Sequence, residues 1–378
     1  MYRNDEHNFL AAIPLWLWIV ACMVIILLCC LPILLVQPGF IDFTQTGQIG
    51  DTIGGTMGPF VAIIAAILTF IAFWVQYQAN IKQREDISIE RIESKYYKML
   101  DIYSTMTNSL NIHGVRGKEA FAELVGELAY TYYTLLNIYH EVIENPSYYF
   151  NASQQLKTII SEFRKDEKRK QEYLTKLSYN LFFYGKYYTI VDIEHPELTE
   201  LAEAIKEKAF YFNKGIGSNT FSDYVKSGVF NPRLFKGGMP ALLYEGHSDF
   251  LGHYFRHLYQ TVKYIASIDE NLVTEERKYE YVKLLRSQMS DYEQILLYYN
   301  SLSEQGCAWN NKHGERFPDD AGYISRFRMI KNLPPNFPIF GVVHHNVYAD
   351  DIKKWETLGK SFFEHRYMPI ASSVANRV

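Results

Sequence analysis

The sequence predicts a mainly α-helical protein: two transmembrane helices followed by a long juxtamembrane helix and a large cytoplasmic α-helical domain. Three observations predict it. Two long apolar runs lie near the N-terminus. Below the second run, apolar residues recur at spacings of three and four from Ile89 to Leu110. Most of the remaining chain has helical periodicity, broken by links rich in Gly, Asn, Ser and Pro.

No residue from Phe9 to Val36 is charged. About 20 apolar residues cross a bilayer core, so this run is long enough to span even when tilted. A cleaved signal peptide has a shorter apolar core, about 7–15 residues, and a small-residue cleavage site, for which there is no match here. A glycine-rich turn, GQIGDTIGGTMGP, leads to the second span, PFVAIIAAILTFIAFWVQY. Pro59 is tolerable near a helix start, where its missing N–H has no intrahelical partner. Trp16, Trp18, Trp74 and Tyr77 stand near span ends, where amphipathic rings favour the headgroup zone.

Charge sets the expected orientation. The link Gln37–Gly58 has no Lys or Arg, whereas Lys82, Arg84, Arg91, Lys95 and Lys98 follow the second span. By the positive-inside rule the link is outside and both termini are cytoplasmic. Of the four cysteines, Cys22, Cys29 and Cys30 fall in the first apolar run and Cys307 stands alone, so no disulfide framework or Cys-based zinc site is expected.

The residues Ile89, Ile92, Tyr96, Met99, Tyr103, Met106 and Leu110 follow the spacing of a coiled-coil seam. This predicts a self-associating rod and a homo-oligomer; the competing reading packs the stripe on the chain's own domain. These patterns divide the chain into a membrane module over 1–80, with spans at about 10–36 and 57–78, a rod over 81–110 and a helical domain over 111–378. Within that domain the expected helices are Lys118–Ile143, Gln154–Tyr188, Glu197–Phe212, one from Ser248 or Asp249 to about Ile268, and one from Thr274 to about Leu302. Residues 213–245 read as a loop or lid, and the prolines of NLPPNFP rule out regular helix.

Familiar catalytic signatures are missing. The chain has no GxxxxGK[ST], no GxGxxG after a strand, no HExxH and no GxSxG; GVRGKEA is a superficial echo of a phosphate loop. No arginine is followed by a histidine at the spacing used by a large class of helical ribonucleases. The distinctive segment is EGHSDFLGHYFRHLYQTVKYI, where His253, Arg256, His257, Gln260 and Lys263 share one helix face. Such a stripe suits an anionic ligand, and its bland alternative is a solvated face. An antiparallel hairpin turning near Asn271 would set Arg256 level with Gln288 and Asp291, predicting a buried Arg256–carboxylate pair.

GHSDFLGHYFRHLYQTVKYI, LLRSQMSDYEQILLYYNSLS and YISRFRMIKNLP resemble the AbiC-like phage abortive infection family, as do GDTIGGTMGPF, LTFIAFWVQYQANIKQ and RGKEAF. The likeness runs in pieces from about residue 47 to 335. It implies a role in bacterial antiphage defence at the inner (cytoplasmic) membrane, with a membrane-anchored helical domain, and brings no catalytic mechanism. The matched positions are Gly252, His253, Tyr254, Phe255, Arg256, Leu258 and Tyr259 in one helix and Leu285, Arg286, Gln288, Asp291, Tyr292, Glu293 and Asn300 in the next. The candidate functional cluster is therefore His253, Arg256, His257, Lys263, Arg286, Asp291 and Glu293, with no metal and no cofactor expected. The expected partners are the lipid bilayer, further copies of the chain and a phage-derived trigger; nucleic acid stays open. Two readings follow: a non-enzymatic sensor that signals to the spans, or a membrane-tethered nuclease or nucleotide-acting toxin with a His/Arg site.

Overall fold

A computed structural model of the chain describes residues 48–144, 161–185, 201–206, 245–310, 322–334 and 340–365, together with residues 19, 23, 26, 30, 158 and 199 individually. These residues are mainly helical, and the chain divides into two units, Met1–Ile87 and Ser88–Val378.

Helix α1 is a single element, Gln48–Ser109. It corrects the expected glycine-rich turn: Gly50, Gly54, Gly55 and Gly58 are all helical, and Pro59 lies inside the helix. Glycine costs a helix only about 1 kcal/mol relative to alanine, so it weakens the element without forbidding it. In the first unit α1 leaves Phe60, Val61, Ile63, Ile67, Leu68, Phe70, Phe73 and Trp74 exposed, Phe70 to 69%. The Thr69 hydroxyl donates back to the Ala65 carbonyl at 2.7 Å, leaving no open polar group at that position. Among the described residues this helix is long and apolar enough to cross a membrane. The first span expected at about 10–36 lies outside the described residues, apart from exposed Ile19, Met23, Ile26 and Cys30.

The second unit begins with the end of α1, followed by a short hairpin, β1 (Asn111–Ile112) and β2 (Val115–Arg116), paired antiparallel with Ile112 opposite Val115. His113 and Gly114 both take positive φ, 51° and 84°. That is the two-residue turn whose twist suits a tight hairpin, and it gives HGVRG a structural purpose. A 3₁₀ turn, Gly117–Glu119, leads into α2, Ala120–Glu144.

Helix α3, Glu167–Tyr184, is shorter than the expected Gln154–Tyr188. The Asp166 side chain caps it by accepting from Arg169 N at 3.1 Å, and Arg169 pairs with Glu162 at 2.8 Å across the break. The charged run EFRKDEKRKQE, from Glu162 to Glu172, thus contains a turn and the cap of α3. Of the third expected helix, 201–206 is helical, with Leu201, Ala202 and Ile205 buried. The loop expected over 213–245 lies outside the described residues, save Glu245.

Helix α4, Ser248–Ala266, starts after His247, which makes no side-chain cap, so neither Ser248 nor Asp249 serves as N-cap. The next expected helix is two. Helix α5, Glu275–Gln288, is capped by Thr274 as the sequence suggests, and α6 is Asp291–Leu302. Ser290 divides them: it accepts from Glu293 N while the Glu293 side chain accepts from Ser290 N. This capping box satisfies the first backbone donors of α6. Helix α6 is buried on every side from Glu293 to Ser301 and forms the centre of the core, packing on α2 and α3. Tyr299 stacks on Phe340 at 4.4 Å, and its hydroxyl donates to the Phe340 carbonyl at 2.8 Å. Short helices α7 (Tyr323–Phe327), α8 (His344–Val347) and α9 (Ala349–Thr357) complete the unit.

Tyr96, Leu100 and Tyr103 of α1, and Leu110 just beyond its end, are buried in this same core, with Ile92 and Met106 packed against it. From Tyr96 onward the expected self-association seam is occupied by the chain's own domain. Its tyrosines explain the choice: a phenol can be buried where its hydroxyl finds an acceptor, and the domain supplies those acceptors.

Candidate functional site

The polar chemistry of the second unit gathers where α1 meets α4, α5 and α6. Glu293 is fully buried. One of its oxygens accepts from the hydroxyls of Tyr103 at 2.6 Å and Tyr254 at 2.9 Å. The other accepts from the Ser290 amide at 2.6 Å and hydroxyl at 2.8 Å. Three helices and the α5–α6 junction therefore converge on one carboxylate. A buried carboxylate is tolerable when its lone pairs are filled by donors. Burial, and next the Glu293 charge, push the Tyr254 hydroxyl well above its usual pKa. It therefore stays protonated and remains a donor.

Further along α1, Glu93 accepts from Arg277 at 2.8 Å and from the Tyr281 hydroxyl at 2.5 Å. Tyr96 donates to the Tyr281 carbonyl, and the rings of Tyr96 and Tyr281 lie 5.4 Å apart. Burial and then Glu93 raise the Tyr281 pKa to about 12, with Arg277 opposing. On the α4 side, His257 Nε2 is 2.9 Å from the Met99 carbonyl, and Lys95 lies 4.2 Å above the Tyr264 ring.

A second joint links α2, α3 and the start of α4. His247 Nε2 is 2.9 Å from Glu127 Oε2, its ring lies 4.9 Å from Phe182, and its backbone N–H donates to the Phe183 carbonyl at 2.8 Å. Gly246 makes this approach possible. Its φ is +88°, and a Cβ there would sit 2.6 Å from the Tyr184 carbonyl carbon. A side chain would thus meet both backbone strain and a clash.

The sequence-predicted residues separate. His253 and Arg256 are exposed on α4, as is Gln260, and Lys263 is half-buried. Asp291 is exposed at the start of α6; partial burial raises its carboxyl pKa, opposed by His365 and reinforced by Glu364. Among the described residues Arg256 makes no ion pair, which corrects the expected buried Arg256–carboxylate pair. Ser290 breaks the helix that would have carried the partner, and Arg256 faces solvent. The buried arginine is Arg286, whose Nη1 donates to the Phe327 and Arg328 carbonyls at 3.0 Å each. Arg286, Glu293 and His257 therefore serve three different contacts.

Sequence reasoning missed Glu127, His247, Ser290, Tyr103 and Arg328. Ser290 had a readable signal, the S-x-x-E spacing to Glu293. The others join through positions far apart in sequence. A cavity of about 220 Å³ lies between α3, α6 and the 3₁₀ turn Cys307–Trp309, lined in part by Glu172, Lys176, Ser301 and Asn310. None of the sequence's candidate residues lines it.

The molecule is thus a helical protein with one bilayer-length apolar helix among its described residues, tied by buried tyrosines and a carboxylate into a helical domain. Residues 246–338 match the family model described as putative phage abortive infection protein. The match covers less than half of the chain and supports an AbiC-like family. No curated protein and no solved structure matches.

Proposed function

We propose that this chain is a membrane-anchored antiphage protein of the abortive-infection type, in which the helical domain senses an infection cue and passes that event through α1 to the bilayer. One observation carries the reading. The helix with the bare apolar stretch is the same helix whose residues 93–103 are gripped by the family-matched segment, through Arg277 and Tyr281 on Glu93 and through Glu293 on Tyr103. A change in the matched segment acts directly on those bonds. The positive-inside pattern supports cytoplasmic termini and an external link at the bacterial inner membrane, with the run at about 10–36 as the first of two spans. A phage-derived trigger fits the family's role. Any association between copies has to use a surface other than the stripe from Tyr96 to Leu110, which the core takes up.

The test is an infection time course in cells carrying the full chain. Phage plating is expected to fall, with entry of a membrane-impermeant dye before lysis and intact cellular RNA. Sealed membranes together with cleaved RNA would sink this reading and favour the tethered nuclease.

A further inference from the structure

The segment YISRFRMIKNLP has a chemistry that the sensing role leaves unused. Arg328 closes α7 with φ +52°, a left-handed conformation that side-chain-bearing residues rarely adopt. Strain of this kind persists where surrounding structure over-determines it, and it concentrates at ligand sites. Here it sets the Arg328 guanidinium against two neighbouring aromatic rings, 4.3 Å from the centre of Trp355 and 5.1 Å from that of Tyr279. It also presents the Phe327 and Arg328 carbonyls to Arg286. The Arg286 guanidinium lies 5.9 Å from the same Tyr279 ring.

Both arginines are more than nine-tenths buried, at 6% and 7% exposure. All their partners are neutral: carbonyl oxygens for Arg286, and the Ser361 carbonyl and Tyr279 hydroxyl for Arg328. Among the described residues no carboxylate pairs with either. The neighbouring acid is already used, because Glu275 accepts from Arg326 at 2.6 Å and Lys278 at 3.0 Å. Arg328 Nε is buried without a partner, and Arg286 uses Nη1 alone. Buried charge without a counter-charge is costly, and an arriving anion removes that cost. Guanidinium forks match the oxygens of phosphate in geometry as well as charge.

We propose that Arg286 and Arg328, oriented by Tyr279 and Trp355, form a binding site for a phosphate-type oxyanion, supplied either as inorganic phosphate or as the phosphate of a nucleotide. This site does not depend on the membrane reading, so either can fail without the other.

The experiment uses the full chain in detergent. Calorimetry and thermal melts are run with inorganic phosphate, with adenosine monophosphate and with chloride at equal ionic strength. Phosphate or the nucleotide is expected to raise Tm above the chloride control and to bind at least tenfold more weakly to R286K and to R328K, which keep the charge and lose the fork. A response to both anions assigns inorganic phosphate as sufficient, and a response to the nucleotide alone assigns the phosphomonoester. Trp355 supplies a second readout if a lysine variant fails to fold: anion binding changes the wild-type tryptophan emission, and W355F loses that change. Equal behaviour of phosphate, nucleotide and chloride on the wild-type chain overturns the proposal, as does an undiminished response in folded lysine variants.

Discussion

The two ends of α1 are built from the same secondary structure and opposite side-chain economies. From Phe60 to Tyr77 most of its large apolar side chains are exposed, and the Thr69 hydroxyl is satisfied within the helix. From Glu93 to Ser109 two of its three tyrosines, Tyr96 and Tyr103, are buried, and their hydroxyls reach groups almost 200 positions away in the chain. In water, burying apolar surface is favourable and exposing a long apolar face is costly. In lipid, the demand falls instead on backbone and hydroxyl groups, which the helix satisfies by itself. A helix can therefore be complete without tertiary partners at one end and entirely dependent on them at the other.

That contrast is open to direct tests. The largest effect is expected at the dependent end. Glu293→Ala strands the hydroxyls of Tyr103 and Tyr254 and the Ser290 amide. At about 1–3 kcal/mol for each buried donor left unsatisfied, the domain should lose at least about 3 kcal/mol. Chemical denaturation monitored by tyrosine and tryptophan fluorescence measures it. A loss below about 1 kcal/mol would show that water or rearranged donors replace the carboxylate.

At the self-sufficient end, Phe70→Lys should leave the domain's denaturation midpoint unchanged and weaken membrane insertion. The cost of a lysine at a span centre is about 2.5–3.5 kcal/mol. Membrane fractionation checks it, and unchanged partitioning would remove Phe70 from the bilayer core.

A pH effect sharpens the picture of the second unit. His344 is buried, and desolvation followed by the neighbouring His345 lowers its pKa from 6.5 to about 3. The folded state holds it neutral, whereas the unfolded chain binds a proton below about pH 6.5. Stability is therefore full above that pH and falls progressively as pH drops toward 3. His344→Gln should flatten this part of the pH–stability curve, as read by thermal melts from pH 7 to 4.

The smallest effect is expected at Arg256. It is exposed on α4, so Arg256→Ala should change stability by no more than about 0.5 kcal/mol. A loss above about 2 kcal/mol would restore the buried pair that the sequence predicted. Defence lost with stability intact would instead make the α4 stripe a contact surface.

The sequence by itself determined the features that depend on local order. Apolar length and three-four spacing are properties of neighbouring residues, so α1 from Met57 onward, α2 and the opening of α5 at Thr274 were legible in it, whereas the glycine-rich start of α1 was read as a turn. The S-x-x-E box at Ser290 was equally local, although the longer helix through Leu302 was read in its place. Tertiary structure alone decided which partner the stripe of α1 would meet. A stripe of Ile, Met and Tyr fits a second copy or a domain core equally well by spacing, and the choice turned on acceptors for the phenols. Those acceptors are Glu293 and the Tyr281 carbonyl, brought to Tyr103 and Tyr96 by folding. The same holds for the arginines. Arg256 and Arg286 look alike in the sequence, each amid helical periodicity. One faces solvent and the other lies under the Phe327–Arg328 turn. Burial of a charge depends on long-range packing, and helical spacing carries no record of which segment will cover it.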